Sequence, residues 1–354
     1  MTRKSNIELI RIFAIIIITL SHLAWNTTVL LNEGINNIIG DCFVIGGRIG
    51  VNIFILITGY FLCLQQRRFK SILKLWLQIF FYSIILYIIS ILLFHDSINI
   101  TEFITYLLPV IFKKWWYASA IIGLYLIIPI LNLLILQMSK NTHRLVLVVS
   151  TFMQVIIPTI TNQETFYSDL CWFVYIYFIA AYIRKYFERE IEKWKSKKQI
   201  IIFLAIFTWI LIFLSIIIMG KLGNYWGIFK RAQYYFASNT SFFALLDGIL
   251  WFIAALTIKD ISNNFVNTIA KHTFAVYLIQ SHPFFNKHIY DYFNSIVFSA
   301  TFWLQGFAYI VFLFICAFIM DSIKEPTVEK MINKMEKRKA YKKLEKILNY
   351  DIPN

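Results

Sequence analysis

Two residues in the first apolar run of this chain have the chemistry of a reaction centre and a polarity that lipid excludes. Arg11 and His22 lie in Ile7–Trp25, and the residues between them, Ile15–Leu20 above all, are almost wholly apolar. They are eleven residues apart, almost three whole turns at 3.6 residues per turn, so one helix face carries both. Their separation along the axis is about 16 Å at 1.5 Å per residue. A histidine can act as a general base at neutral pH. An arginine can hold a phosphate through charge-assisted hydrogen bonds. Glu8, one turn before Arg11, can pair with it. The plainer alternative is that Arg11 snorkels to headgroups and His22 bonds a neighbouring helix. Charges inside spans are functional by default, and a pair on one face at opposite ends of a span favours function.

A second apolar run places Arg48 in Gly46-Gly47-Arg48-Ile49-Gly50-Val51-Asn52, continuing to Thr58-Gly59-Tyr60. If this run starts outside, Arg48 lies at a depth comparable to His22. The glycines permit close helix approach or a local break. An embedded cation there could bind an anionic group or stabilise a developing oxyanion. It could equally be a counter-ion to Asp41 or a partner of a carbonyl. Asp247, with Lys271 and His272, forms a second polar set, expected to pair internally and hold the bundle. Gln280-Ser281-His282 closes another run and could meet a polar acceptor or be an ordinary wet helix end.

These residues need helices to position them. Of 354 residues, 59% are hydrophobic and only 15% charged, against about 45–50% apolar in ordinary soluble domains. The apolar runs are about 17–25 residues long, which suits spanning helices rather than membrane strands. The pattern predicts an all-α polytopic bundle of about ten spans. They are roughly Ile7–Trp25, Cys42–Leu64, Ile72–Phe94, Tyr117–Met138, Leu145–Ile160, Leu170–Phe187, Ile200–Met219, Ser238–Thr257, Phe265–His282 and Ile296–Met320. Residues 1–320 then form the membrane domain and residues 321–354 a basic cytoplasmic tail, helical from Glu325 to Leu348. The first run lacks a cleavage site and reads as a permanent anchor.

The net charge of +15 would suggest nucleic acid in a soluble protein. Here the bases sit in short loops and the tail, which points to anionic membrane lipids and not to nucleic acid. One set of loops holds Arg67, Arg68, Lys70, Lys74, Lys140, Arg144, Arg184, Lys185 and Lys193–Lys198, while Asn26–Asp41 and Asn162–Asp169 hold no base. Both termini are therefore expected in the cytoplasm. The cysteines Cys42, Cys63, Cys171 and Cys316 show no CxxC and no metal spacing. They read as buried small residues, with a Cys42–Cys171 disulfide as the alternative. No metal is called for, and oligomeric state stays open.

Arg11, ten intervening residues and His22 resemble the Arg-x10-His signature of the membrane-bound acyltransferase family 3. Gly47 through Tyr60, Trp115-Trp116-Tyr117 with Tyr125 and Pro129, and Phe274–Ile279 resemble further family segments in the same order. The resemblance implies a bacterial, multi-pass protein of the cytoplasmic membrane. It implies O-acylation, most often acetylation, of a surface polysaccharide or lipid-linked saccharide, with acetyl-CoA or another acyl-CoA as donor. It carries His22 over as the catalytic histidine and Arg11 as its partner. Three departures stand out: Lys70 replaces the second arginine of an Arg-x-x-Arg, Thr58-Gly59 replaces Ser-Gly, and Gln280 stands where the family has histidine, with His282 two residues on.

On that resemblance Arg11, Arg67, Arg68 and Lys70 are expected to hold the donor's phosphates. The thioester would reach His22, and Arg48 or a backbone N–H would stabilise the oxyanion. Trp115, Trp116, Tyr117, Gln280 and His282 are the expected acceptor side. A covalent acyl-histidine is the variant mechanism. The rival functions are a polytopic exporter of a polysaccharide or lipid-linked saccharide, against which no internal repeat is visible, and a scaffold within a synthesis assembly. The charge bias is directly testable. A membrane-impermeant thiol reagent applied outside intact cells should label cysteines introduced at Asn32 and Gln163 and not one at Ser196. External labelling at Ser196 would invert the orientation.

Overall fold

The structure is a computed structural model describing residues 4–65, 69–95, 99–227, 229, 232–259 and 261–348. Among these residues the regular structure is helical throughout. The helices used below are α1 (Ser5–Asn26), α2 (Ile35–Val44), α3 (Gly46–Leu62), α4 (Phe69–Phe94), α5 (Ile100–Leu107), α6 (Trp116–Gln137), α7 (Lys140–Thr151), α8 (Ile157–Thr161), α9 (Asp169–Tyr186), α10 (Glu188–Trp194), α11 (Lys198–Gly223), α12 (Phe242–Thr257), α13 (Asn264–Lys271), α14 (Thr273–Gln280), α15 (Pro283–Ser295), α16 (Phe302–Glu336) and α17 (Lys339–Leu348). Polar side chains start several of them. Ser139, Ser168, Ser241 and Asn263 each accept from a backbone N–H three residues on, satisfying donors that a helix start leaves open.

Among the described residues, seven helical stretches are long and apolar enough to cross a membrane. The remaining three expected spans fall on shorter or more polar helices. α9 carries Asp169, Arg184 and Lys185, α12 has 16 residues, and 265–282 is divided into α13 and α14. The break at His272 corrects the expected single helix. Its imidazole is tied to Asp321 of α16 rather than to Asp247, so the polar Lys271–His272 step turns towards a partner that a straight apolar span lacks. Exposed apolar side chains cover the outside of the bundle, such as Phe203, Phe207 and Ile218 on α11 and Val311, Phe312 and Ile315 on α16. A continuous apolar surface of this kind suits lipid, not water.

The centre of the bundle is α3, packed on α1, α9 and α12. Small residues set the α1–α3 distance. A Cβ on Gly50 would stand 2.6 Å from the Ala14 carbonyl oxygen, and one on Gly46 2.7 Å from that of Ile17. Such spacing is the small-xxx-small pattern by which helices approach in lipid. Hydrogen bonds then fix neighbours: Ser21 Oγ donates to Val44 O at 2.8 Å, Trp172 Nε1 to Asn52 Oδ1 at 3.0 Å, and Tyr177 OH to Asn132 Oδ1 at 2.6 Å.

One end of the bundle gathers the N-terminus with Ile261 and Asn267, through the Ser5 amide and hydroxyl. The opposite end gathers Thr28 with Asn294, and Trp25 with Tyr234. α2 and the Pro283–Ser295 helix lie where loops were expected. The C-terminal part of α16 continues without interruption from its apolar part. Val328, Ile332 and Tyr341 of the tail pack on Leu73 and Leu77 of α4. All four cysteines are free, and only Cys63 is fully buried. Both the disulfide alternative and the uniform burial expected for them are thus corrected.

The α1–α3 contact makes a stability prediction. Gly50→Ala pushes a methyl into a backbone carbonyl that no rotamer change can move, an overpacking expected to cost about 1–3 kcal/mol. The apparent melting temperature in detergent should fall, whereas Gly123→Ala, whose Cβ meets only Leu170 side-chain atoms at 3.4 and 3.6 Å, should leave it unchanged. Equal melting of the two variants would remove the glycine contact as a determinant of the fold.

Candidate functional site

The α1 stripe expected from residue spacing lines one cavity. Arg11, Ile15, Ile18 and His22, spaced four, three and four residues apart, face a space of about 460 Å³ that reaches the end of the bundle holding the N-terminus. We term it the near cavity. Its mouth is basic: Arg11 is joined by Lys74 from α4, Lys271 from α13 and Lys324 from α16, with Glu325 as the acid lining it. Arg11 stands 3.9 Å from Glu8, one helix turn away. Deeper in, the walls are Phe54, Tyr117, Tyr125 and Tyr277, mostly apolar and aromatic.

A second cavity, also about 460 Å³, opens at the opposite end. It is lined by Trp25 and Ser21 of α1, Gly47 and Arg48 of α3, and by Asn162, Glu164, Tyr234, Ser238 and Asn239 from the connecting segments. His22, Val51 and Trp116 line both cavities. The imidazole therefore stands in the partition between two spaces entered from opposite ends. Among the described residues no hydrogen bond to the His22 ring is formed, so both ring nitrogens stay available to a bound group. Among the described residues no carboxylate orients it, which distinguishes the arrangement from the nucleophile–base–acid constellations of many hydrolases.

Arg48 is held beside His22 by aromatic groups and not by Asp41. Its Nη2 donates to Tyr167 OH at 2.8 Å, and the guanidinium lies 5.3 Å from the Trp172 ring centroid. Tyr167 OH donates in turn to Asp169 at 3.1 Å. Burial raises the Tyr167 pKa while Arg48 lowers it; the net shift is upward, so the phenol stays neutral and able to donate. Asp41 instead accepts from Tyr234 OH at 3.0 Å. The ring of Tyr234 meets Trp25 edge-on at 4.8 Å, giving the far cavity an aromatic wall fixed from beneath. With one guanidinium N–H engaged by Tyr167, Arg48 keeps donors for an oxygen arriving near His22.

The remaining expected site residues are dispersed. Trp116 reaches the far cavity, but Tyr117 lines the near one. Trp115 is buried and donates to the Leu278 carbonyl at 3.1 Å. Gln280 and His282 are buried, and neither is among the residues lining these two cavities. His282 is packed among Tyr106, Trp115 and Phe285, so the alternative reading of this segment as a wet helix end does not hold. Lys70 pairs with Glu336 at 2.8 Å and leaves the near cavity to Lys74, one turn further along α4. Arg67 and Arg68 lie outside the described residues. Asp247 is fully buried within α12, beside the Trp251 indole one turn on, and lines neither cavity. Lys74, Lys271 and Lys324 escaped the sequence because three distant segments bring them together. Lys74 carried a signal one turn beyond Lys70 in the same basic run, and Lys271 carried one as a charge inside an expected span, read there as structural.

A family model described as an acyltransferase domain matches residues 4–321, nearly the whole chain. No curated protein and no solved structure matches it.

Proposed function

The chain belongs to acyltransferase family 3, and from that premise we propose that it transfers an acyl group, acetyl above all, from acyl-CoA in the near cavity to a saccharide hydroxyl in the far cavity, with His22 as general base. The near cavity is the cytoplasmic one in this reading, because the basic loops and both termini belong to that side. The far cavity opens at the outer face of a bacterial plasma membrane. The observation that carries the proposal is the single histidine shared by two cavities from opposite ends.

The chemistry follows from the positions. Phosphates of the donor sit among the cations at the near mouth, where charge-assisted hydrogen bonds hold them. The thioester arm follows the α1 stripe from Arg11 for about 16 Å to His22. The acceptor hydroxyl enters from the far side, between Trp25, Trp116 and Tyr234. His22 takes its proton as the oxygen attacks the acyl carbon. Arg48 donates to the carbonyl oxygen as charge develops there. The C–S bond then breaks, the thiolate leaves and takes the proton from the His22 imidazolium, and an O-ester remains on the saccharide with His22 neutral again. The unencumbered imidazole is also compatible with a transient acyl-histidine. The match to an acyltransferase domain over residues 4–321 favours acyl transfer over the exporter alternative.

The test uses glycan acylation and membrane abundance measured on the same cells. His22→Gln removes the base and preserves a polar side chain of similar reach. Its abundance should match wild type while acylation falls by about 10²–10⁴-fold, the usual worth of a general base. A stable variant with wild-type acylation would sink the catalytic role. Reduced abundance with normal acylation per molecule would make His22 a packing residue.

A further inference from the structure

Three residues beyond the stretch matched to the family, Lys324 enters the wall of the near cavity. Its setting is unusual for a lysine. The side chain is 8% exposed, and its ammonium lies 2.8 Å from Asp321 Oδ1, one turn back on α16. Asp321 is a junction as well as a counter-ion. The same Oδ1 accepts from Tyr82 OH of α4 at 2.8 Å, and Oδ2 accepts from His272 Nδ1 at 2.6 Å. One buried carboxylate thus ties α4, the break between α13 and α14, and α16.

A purely structural tie would be complete without the lysine, since Tyr82 and His272 already donate to both carboxylate oxygens. An ammonium has three donors, and Asp321 uses one. A largely desolvated cation with donors left over, placed in a cavity wall, fits an anion. The neighbours agree in sign. Arg11, Lys74 and Lys271 line the same mouth, and Glu325 is the carboxylate among the lining residues. Lys74 and Lys271 are exposed, whereas Lys324 is buried and held by its partner. A fixed ammonium loses less side-chain entropy on binding than an exposed one.

We propose that Lys324 is a donor-binding residue, its ammonium taking a phosphate of the nucleotide end of the donor while Asp321, with His272 and Tyr82, acts as the positioning group. The proposal rests on the near cavity being the donor site. It extends that site to residues after 321, so the start of the C-terminal segment is part of the binding machinery.

Binding of coenzyme A and of pantetheine, which lacks the nucleotide phosphates, to purified full-length protein separates the possibilities without needing the acceptor. Losing a charge-assisted phosphate contact should weaken coenzyme A about tenfold in Lys324→Gln, leave pantetheine unchanged, and be largely restored in Lys324→Arg. Asp321→Asn should give a smaller loss, again confined to coenzyme A. A structural role alone would weaken both probes together. Where Lys324→Gln does not survive purification, wild-type protein answers by protection: bound coenzyme A, and not pantetheine, should shield Lys324 from a small lysine-modifying reagent. Unchanged coenzyme A affinity in Lys324→Gln, or no protection, overturns the role of Lys324; the donor site itself stands if Arg11→Ala still weakens coenzyme A. Wild-type protein that binds coenzyme A no better than pantetheine overturns both.

Discussion

Two helices touch backbone to backbone at the middle of this protein, and the site depends on that contact. With glycine at 46 and 50, α3 lies against the carbonyl oxygens of Ile17 and Ala14. Nothing larger fits. The consequence is geometric: the histidine at the end of the α1 stripe and the arginine next to Gly47 come to line one cavity. In lipid, burial of apolar surface gives helices little reason to associate, so close packing and interhelical hydrogen bonds must supply it. Ser21 on Val44 and Trp172 on Asn52 are bonds of that kind. They also hold rigid the two elements that carry His22 and Arg48, as a reaction centre requires.

Polarity in the rest of the bundle is arranged around the two cavities. The near cavity gathers its cations from four elements, and the Asp321 junction ties three of these together. The far cavity gathers aromatic rings and neutral polar groups, with Arg48 and Glu164 as its charges. The proposed charged donor on one side and the proposed hydroxyl-bearing acceptor on the other match this division. The partition between them is made of His22, Val51 and Trp116. Only the first has acid–base chemistry.

Much of this was legible in the sequence, for identifiable reasons. The all-helical membrane character follows from run length and composition. The α1 stripe follows from an eleven-residue spacing, because helix periodicity is a local property. The glycine contact could be read from Gly46, Gly47 and Gly50, though not its partner. What could not be read depends on pairing between distant segments. His272 breaks an expected span because its partner, Asp321, is 49 residues away. Lys70, expected on the donor side, pairs with Glu336 of the tail, 266 residues on. His282 could be read as an acceptor contact or a wet helix end, and α5 and the Pro283–Ser295 helix bury it with Tyr106 and Phe285. Tyr167, which orients Arg48, stands in an irregular segment with no periodicity to mark it.

The central claim is that one residue, His22, is reached from both faces of the membrane. Access can be measured at that atom position. In a chain with its four cysteines replaced by alanine, His22→Cys would be exposed to a membrane-impermeant thiol reagent in right-side-out and in inside-out vesicles. The account predicts labelling in both, with coenzyme A slowing it only in the inside-out vesicles. Labelling from one face alone, or protection by coenzyme A from the outer face, would contradict it.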